Sequence, residues 1–145
     1  MSALFAVDTN AYVEILRRSA RGERLRALLS RERSRLAVLV PVVAELLQGA
    51  RTPGERHVVA ATLYEAVPPN GRVTPADDEW LDTGRALARL AAGGHDPAEL
   101  RRRSFYLDVQ VAVVCRKRGI TLVTDDRDHD RLRAHIGHTT VPLPG

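Results

Sequence analysis

Two short apolar runs, each stopping on an acidic residue, limit what this chain can become. Leu4 to Val7 ends at Asp8-Thr9-Asn10, and Ile120 to Val123 ends at Thr124-Asp125-Asp126. Apolar runs without polar alternation suit strands buried on both faces, which occur mainly in parallel sheets covered by helices. Helical patterns follow both runs directly. After Asp8, which with Thr9 and Asn10 is placed to cap a helix start, Tyr12, Ile15 and Leu16 form an apolar stripe. Asp125-Asp126 opens a short helix in the same way.

Further elements fall between and after these runs. A charged helix is expected over Arg21–Arg31, with Leu25, Leu28 and Leu29 inward. Leu36 to Val40 reads as a second strand. Pro41 then starts a helix that stops at Gly49. Thr52-Pro53 opens another helix, ending near Ala66. Thr74-Pro75 opens a long one, with Asp77, Asp78 and Glu79 in a first turn where negative charge suits the helix dipole, and Gly93-Gly94 ends it. Asp96-Pro97 begins a helical stretch with a break near Ser104, and its last helix carries Asp108 and stops at Gly119. Thr139 to Val141 reads as a final edge strand, ended by Pro142 and Pro144. Strands alternating with helices predict an α/β fold with a mainly parallel central sheet covered on both faces. The 145 residues suit one compact domain spanning 1–145, and Pro68 to Thr74, the loopiest segment, is too short to separate two.

Several classes are disfavoured. The one cysteine, Cys115, sits in the apolar run Val109 to Cys115 and reads as an inert core thiol, which fits a reducing cytoplasm. Met1 to Val7 has no basic lead and is interrupted by Asp8, so it does not read as a signal peptide. No stretch is long and apolar enough for a membrane span. The net charge of +4 is carried almost entirely by arginine, with Lys117 the only lysine. Arginine suits a phosphate-rich partner, but a GC-rich genome gives the same bias, so charge alone does not choose.

Four scattered acids, Asp8, Glu45, Asp108 and Asp126, carry the functional reading. Each has a plainer alternative when taken alone. Asp8 and either Asp125 or Asp126 read equally as helix caps, Asp108 as a cap beside an apolar helix, and Glu45 as a solvent-facing position among Val42, Val43, Leu46 and Leu47. Together they say more. Two acids end strands expected to be neighbours, and in open α/β sheets the functional cleft lies beyond the carboxyl ends of the strands. Two unit charges 4 Å apart repel by on the order of 4 kcal/mol at an effective dielectric near 20. A fold keeps such a cluster if it binds a cation or holds protons. An all-oxygen ligand set favours Mg²⁺ or Mn²⁺, and no histidine–cysteine spacing suggests zinc. Such a centre suits phosphodiester hydrolysis without a covalent nucleophile.

The ordered motifs Leu-Phe-Ala-Val-Asp8-Thr-Asn10, Ala44-Glu45-Leu-Leu-Gln-Gly49, Leu107-Asp108-Val-Gln-Val-Ala112 and Ile-Thr-Leu-Val-Thr124-Asp-Asp126 resemble the PIN domain, most closely the VapC-like toxins of bacterial VapBC toxin–antitoxin pairs. The resemblance covers nearly the whole chain. It implies an α/β/α sandwich and a Mg²⁺- or Mn²⁺-dependent endoribonuclease. It places the acidic quartet on Asp8, Glu45, Asp108 and Asp126, with Asp8, Asp108 and Asp126 as metal ligands and Asn10 and Thr124 in support. It selects Asp126 over Asp125 because the family pattern is Thr, any residue, then Asp or Asn. It further implies a homodimer and a small antitoxin that blocks the cleft. Two positions depart from the pattern. Val40 stands where a Ser or Thr cap is common, and His129 stands where phenylalanine is usual; the sequence reads His129 as an exposed residue on a short helix, with an added polar group near the cleft as the alternative.

Two arginine clusters, Arg17, Arg18, Arg21 and Arg24, then Arg101, Arg102 and Arg103, normally mark solvated faces. The second precedes the Asp108 helix and is the candidate for holding the RNA backbone, where phosphate contacts give affinity but little sequence information. Aromatics are too few for an extended base-stacking platform. A haloacid-dehalogenase-type phosphatase would want a second acid where Asn10 stands, together with a well-placed lysine. A dinucleotide-binding fold would want a glycine-rich turn after the first strand. A non-catalytic binding module would not need the intact quartet, and a housekeeping RNA-processing nuclease differs from a toxin only in its partner.

Overall fold

The computed structural model describes residues 4–145. The chain runs β1 (Phe5–Val7), α1 (Thr9–Leu16), α2 (Ala20–Arg31), β2 (Val38–Leu39), α3 (Val40–Gly49), α4 (Pro53–Ala60), β3 (Arg72–Val73), α5 (Asp77–Ala92), α6 (Pro97–Leu100), α7 (Arg103–Arg118), β4 (Thr121–Val123), α8 (Arg127–Ile136) and β5 (Thr139–Val141). A wider π turn over Ala61–Glu65 prolongs α4. No helix among the described residues is long and apolar enough to cross a membrane.

All strand pairs are parallel: β1 with β4, β4 with β5, and β2 with β3. A parallel bridge from Phe5 to Leu36, with the Ala37 N–H donating to the Phe5 carbonyl at 2.8 Å, joins the two groups. The spatial order is therefore β3-β2-β1-β4-β5. The chain first winds one way from β1 and then returns to wind the other way. Right-handed crossovers, the rule for parallel strands, put α1–α4 on one face and α5–α8 on the other, and the main helix contacts fall within these two groups. The fold is an α/β/α sandwich whose direction reverses between β1 and β4.

The interior explains why α7 is apolar nearly all round. Its Val111, Val114 and Cys115 join the main core with Phe5, Ala6 and Val7 of β1, Tyr12 and Ile15 of α1, and Leu122 of β4. Its Phe105, Val109 and Val113 join a second cluster with Ala86 and Leu90 of α5 and Leu132 of α8. One helix thus faces the sheet and an outer helical layer at once. At its far end, Arg118 forms a forked pair with buried Glu79 of α5 at 2.6 and 2.9 Å, and Lys117 bonds Asp78 and Asp82. Burial pushes the Cys115 thiol up to about 12, as suits an inert core thiol.

Local chemistry sets most helix starts. Ser19, Thr52 and Asp96 accept hydrogen bonds from the N–H groups of Gly22, Glu55 and Ala98. Helix α3 has no side-chain cap; Leu39 precedes it and Pro41 lies in its first turn. Two expectations change. The loopiest segment, Pro68 to Thr74, in which no strand was expected, forms a 3-10 turn and the edge strand β3, in which only Val73 is buried. Two residues carry no periodicity, so this strand leaves no pattern. The helical break falls at Arg101-Arg102 rather than near Ser104.

One close approach yields a stability prediction. A Cβ on Gly22 would lie 2.1 Å from the Glu14 carbonyl oxygen, so α2 crosses α1 where only glycine fits. Gly22→Ala should destabilise the fold by about 1–3 kcal/mol, the usual overpacking cost, when measured by urea titration. An unchanged midpoint would mean the helices separate freely.

Candidate metal centre

The carboxyl ends of β1 and β4 meet at the point where strand order reverses, where open α/β sheets form their functional crevice. Asp8 leaves β1 there and caps α1. Its Oδ1 accepts the Ala11 N–H at 3.1 Å, and its Oδ2 accepts the Thr124 hydroxyl. The Thr124 Oγ1 in turn accepts the Asp126 N–H at 3.0 Å. Thr124 thus ties the two strand ends together. Asp126 caps α8, accepting the Asp128 N–H at 2.9 Å.

Asp108 reaches this edge from α7. It lies in the second turn of that helix rather than at a cap, with its side chain 24% exposed. Oxygens of Asp108, Asp126 and Asp128 lie within 4.8 Å of one another. Burial, reinforced by the charges of Asp126, Glu45, Asp128 and Asp8, pushes the Asp108 carboxyl up to about 8. Burial likewise raises Asp8, against the pull of its bonds from Thr124 and Ala11. Glu45, half-buried on α3, is close enough for its charge to act on both. The cluster therefore holds a proton at neutral pH or gives it up to a cation. Its donors are all carboxylate oxygens, which fit a hard divalent ion such as Mg²⁺ or Mn²⁺.

Asp8 and Thr124, 116 residues apart in sequence, thus meet at the edge that Asp126 and Asp108 share, with Glu45 near enough for its charge to act there. Asp125 turns away: its Oδ1 accepts the Leu143 N–H at 3.0 Å, and its Oδ2 pairs with Arg21. Arg21 is thereby drawn out of the first arginine cluster, while Arg17, Arg18 and Arg24 stay exposed. Arg101, Arg102 and Arg103 are exposed at the junction of α6 and α7, and Arg102 lies 3.6 Å from Glu99. Asn10 is exposed in the first turn of α1 and joins none of these hydrogen bonds. Asp128 was missed from the sequence. An acid in a helix's first turn suits the dipole anywhere, and only its spacing two residues past Asp126 pointed here.

His129 is a correction. It is not exposed but 1% accessible, on the inner face of α8 that His129, Leu132 and Ile136 form at helical spacing. That spacing was the available signal, outweighed by five charged residues on the same short helix. Its Nδ1 lies 3.2 Å from Nε2 of buried His138. Burial pushes both imidazoles down to about 4.

A cavity of about 530 Å³ opens at the opposite, amino end of the sheet, beside Leu4, Leu36 and Gly71. The acids sit instead at the carboxyl edge, with Asp126 and Asp128 half-buried.

Comparison with known proteins bears on both fold and family. The family model described as the PIN domain matches residues 5–134. A chain of a solved structure, DNA-bound VapBC from Salmonella typhimurium, superposes with a TM-score of 0.69 at 18% identity, covering 99% of this chain and all of that one. At that identity the likeness is one of fold. No curated protein matches the sequence.

Proposed function

The chain belongs to the PIN domain family, and from that premise we propose that it is a Mg²⁺- or Mn²⁺-dependent endoribonuclease, the toxin of a toxin–antitoxin pair. The observation that carries this reading is the convergence of Asp8, Asp108, Asp126 and Asp128 at the reversal point of the sheet, with Asp108 raised to about 8. Carboxylates so crowded are best explained by a cation that belongs among them. Asp108 and Asp126 are assigned as ligands, with Asp8 completing the set and Asp128 added by its place in the cluster. A bound divalent ion would neutralise a phosphate oxygen and lower the pKa of water. Glu45, whose charge reaches both Asp8 and Asp108, is assigned to orienting the attacking water. Thr124 holds Asp8 in place, and Asp125 serves the fold through Arg21 and Leu143.

The test is incubation of the protein with structured RNA and Mn²⁺ or Mg²⁺, with and without EDTA. Cleavage should require the ion; cleavage that survives chelation would sink the metal reading. The VapBC structure of similar fold is a complex, which supports a protein partner here; the homodimer rests on the family resemblance alone. Expression alone should slow growth and co-expression of a small partner from the adjacent gene should restore it. Harmless expression would favour a housekeeping RNA-processing role.

RNA itself is assigned to the exposed arginines at the α6–α7 junction. Replacing Arg101, Arg102 and Arg103 together should weaken RNA binding and flatten its log–log salt dependence by about 2, the value for three single-strand phosphate contacts. An unchanged salt slope would place the backbone elsewhere.

A further inference from the structure

Behind the acidic cluster lies a pair of buried histidines that the proposed hydrolysis does not use. His129 is 1% and His138 4% exposed. His138 follows Gly137, whose left-handed φ of 80° ends α8 and folds the next residue back beneath it. The His129 Nδ1 and His138 Nε2 face each other at 3.2 Å. The other two ring nitrogens, His129 Nε2 and His138 Nδ1, are buried without a hydrogen-bond partner. His129 Nε2 lies 3.8 Å from Asp108 Oδ1.

This arrangement selects a tautomer. A neutral imidazole carries one N–H, and two facing nitrogens share a single proton between them. If His129 Nδ1 held it, a bare Nε2 lone pair would face the Asp108 carboxylate that a bound cation keeps ionised, and the His138 proton would sit on Nδ1, buried with no acceptor. If His138 Nε2 holds it, the His129 proton moves to Nε2 and points at Asp108, leaving only a bare Nδ1 on His138. Attraction replaces repulsion, and the buried His129 N–H faces a carboxylate oxygen 3.8 Å away, whereas the His138 N–H of the other tautomer would face no acceptor at all.

We propose that His129 is a positioning residue for the metal centre: its Nε2–H, fixed by His138 behind it, orients the Asp108 carboxylate toward a cation shared with Asp126 and Asp128. This rests on the metal reading above and adds to it a supporting dyad built from this chain's own departure at position 129. Partners of ligating carboxylates fix ligand orientation, and their loss commonly weakens metal binding about 10–100-fold.

Mn²⁺ titration of the full chain, by calorimetry or electron paramagnetic resonance, tests this without reading activity. His129→Phe keeps the ring but removes the donor and should weaken Mn²⁺ binding about tenfold or more, whereas His129→Gln returns an N–H and should recover most of that loss. His138→Phe releases the tautomer and should weaken binding, and His138→Gln, which restores a donor to Nδ1, should not. This second pair decides the question if His129→Phe fails to fold. Equal affinity in the Phe and Gln variants, at the wild-type level or below it, overturns the proposal. Wild-type binding that Asp108→Asn removes is the separate check on the metal reading. Its absence overturns both, while its presence with equal variants overturns the positioning role alone.

Discussion

Asp108→Asn should lower metal-dependent RNA cleavage by at least about 10²–10³-fold, the scale for losing one preorganised electrostatic group, while making the metal-free protein more stable. The two effects share one cause. Asp108 is part-buried amid Asp126, Glu45, Asp128 and Asp8, and that crowding raises it to about 8. An amide keeps the shape and removes the charge, so the repulsion and burial cost disappear together with the ligand. Sites that bind charge are commonly paid for in stability this way. Single-turnover cleavage and thermal melting in EDTA, run side by side, check it. A variant that still cleaves would remove Asp108 from the centre, and one less stable than wild type would show that the carboxylate helps the fold.

The second large effect is a stability profile that reverses with metal. A group whose folded pKa is raised contributes stability below its unfolded value and loses it as pH rises through the folded one. For Asp108 that window runs from the ordinary carboxylate value of 3.8 to about 8, and Asp8 shifts in the same direction. His129 and His138 act oppositely. Their folded values near 4 lie below the ordinary imidazole value of 6.5, so their contribution is present above 6.5 and fades as pH falls toward 4. Above pH 6.5 the unfolded histidines shed their remaining protons and add only about 0.4 kcal/mol each, so the decline of the acids dominates. Metal-free protein should therefore lose about 1–2 kcal/mol between pH 6.5 and 8, a few degrees in melting temperature for a chain this size. At pH 8 a cation at about 100 times its Kd adds roughly 2.7 kcal/mol and should reverse the decline. Melting curves with Mn²⁺ and with EDTA, for wild type and Asp108→Asn, decide the matter. A wild type indifferent to Mn²⁺, or a variant with the wild-type slope, would count against a cation at this cluster.

Much of this edge was legible because its signals are local. A strand that stops on an acid and turns at once into a helix puts that acid at the carboxyl edge, and both β1–Asp8 and β4–Asp126 follow this form. The all-round apolar character of the Asp108 helix also foretold burial, and the two core clusters on either side of α7 explain it. Signals failed where the deciding contact was distant. The sequence left Asp125 and Asp126 as equivalent neighbours, separated only by family pattern. In the fold, Arg21 and the Leu143 N–H hold Asp125, while the Thr124 hydroxyl meets the Asp126 N–H. Two-residue β3 had no periodicity to read, and His129 was masked by its charged neighbours.

By itself, then, the sequence determined the α/β class, the alternation of buried strands with helices, and the strand-end positions of Asp8 and Asp126. These follow from apolar periodicity and capping, which act over a few residues. Only the tertiary structure decided that Asp128 joins Asp108, that Asp125 is a tie rather than part of the cluster, and that His129 is buried against His138. Each depends on which elements the reversal of strand order brings together, and burial and charge are properties of that packing rather than of the residue alone.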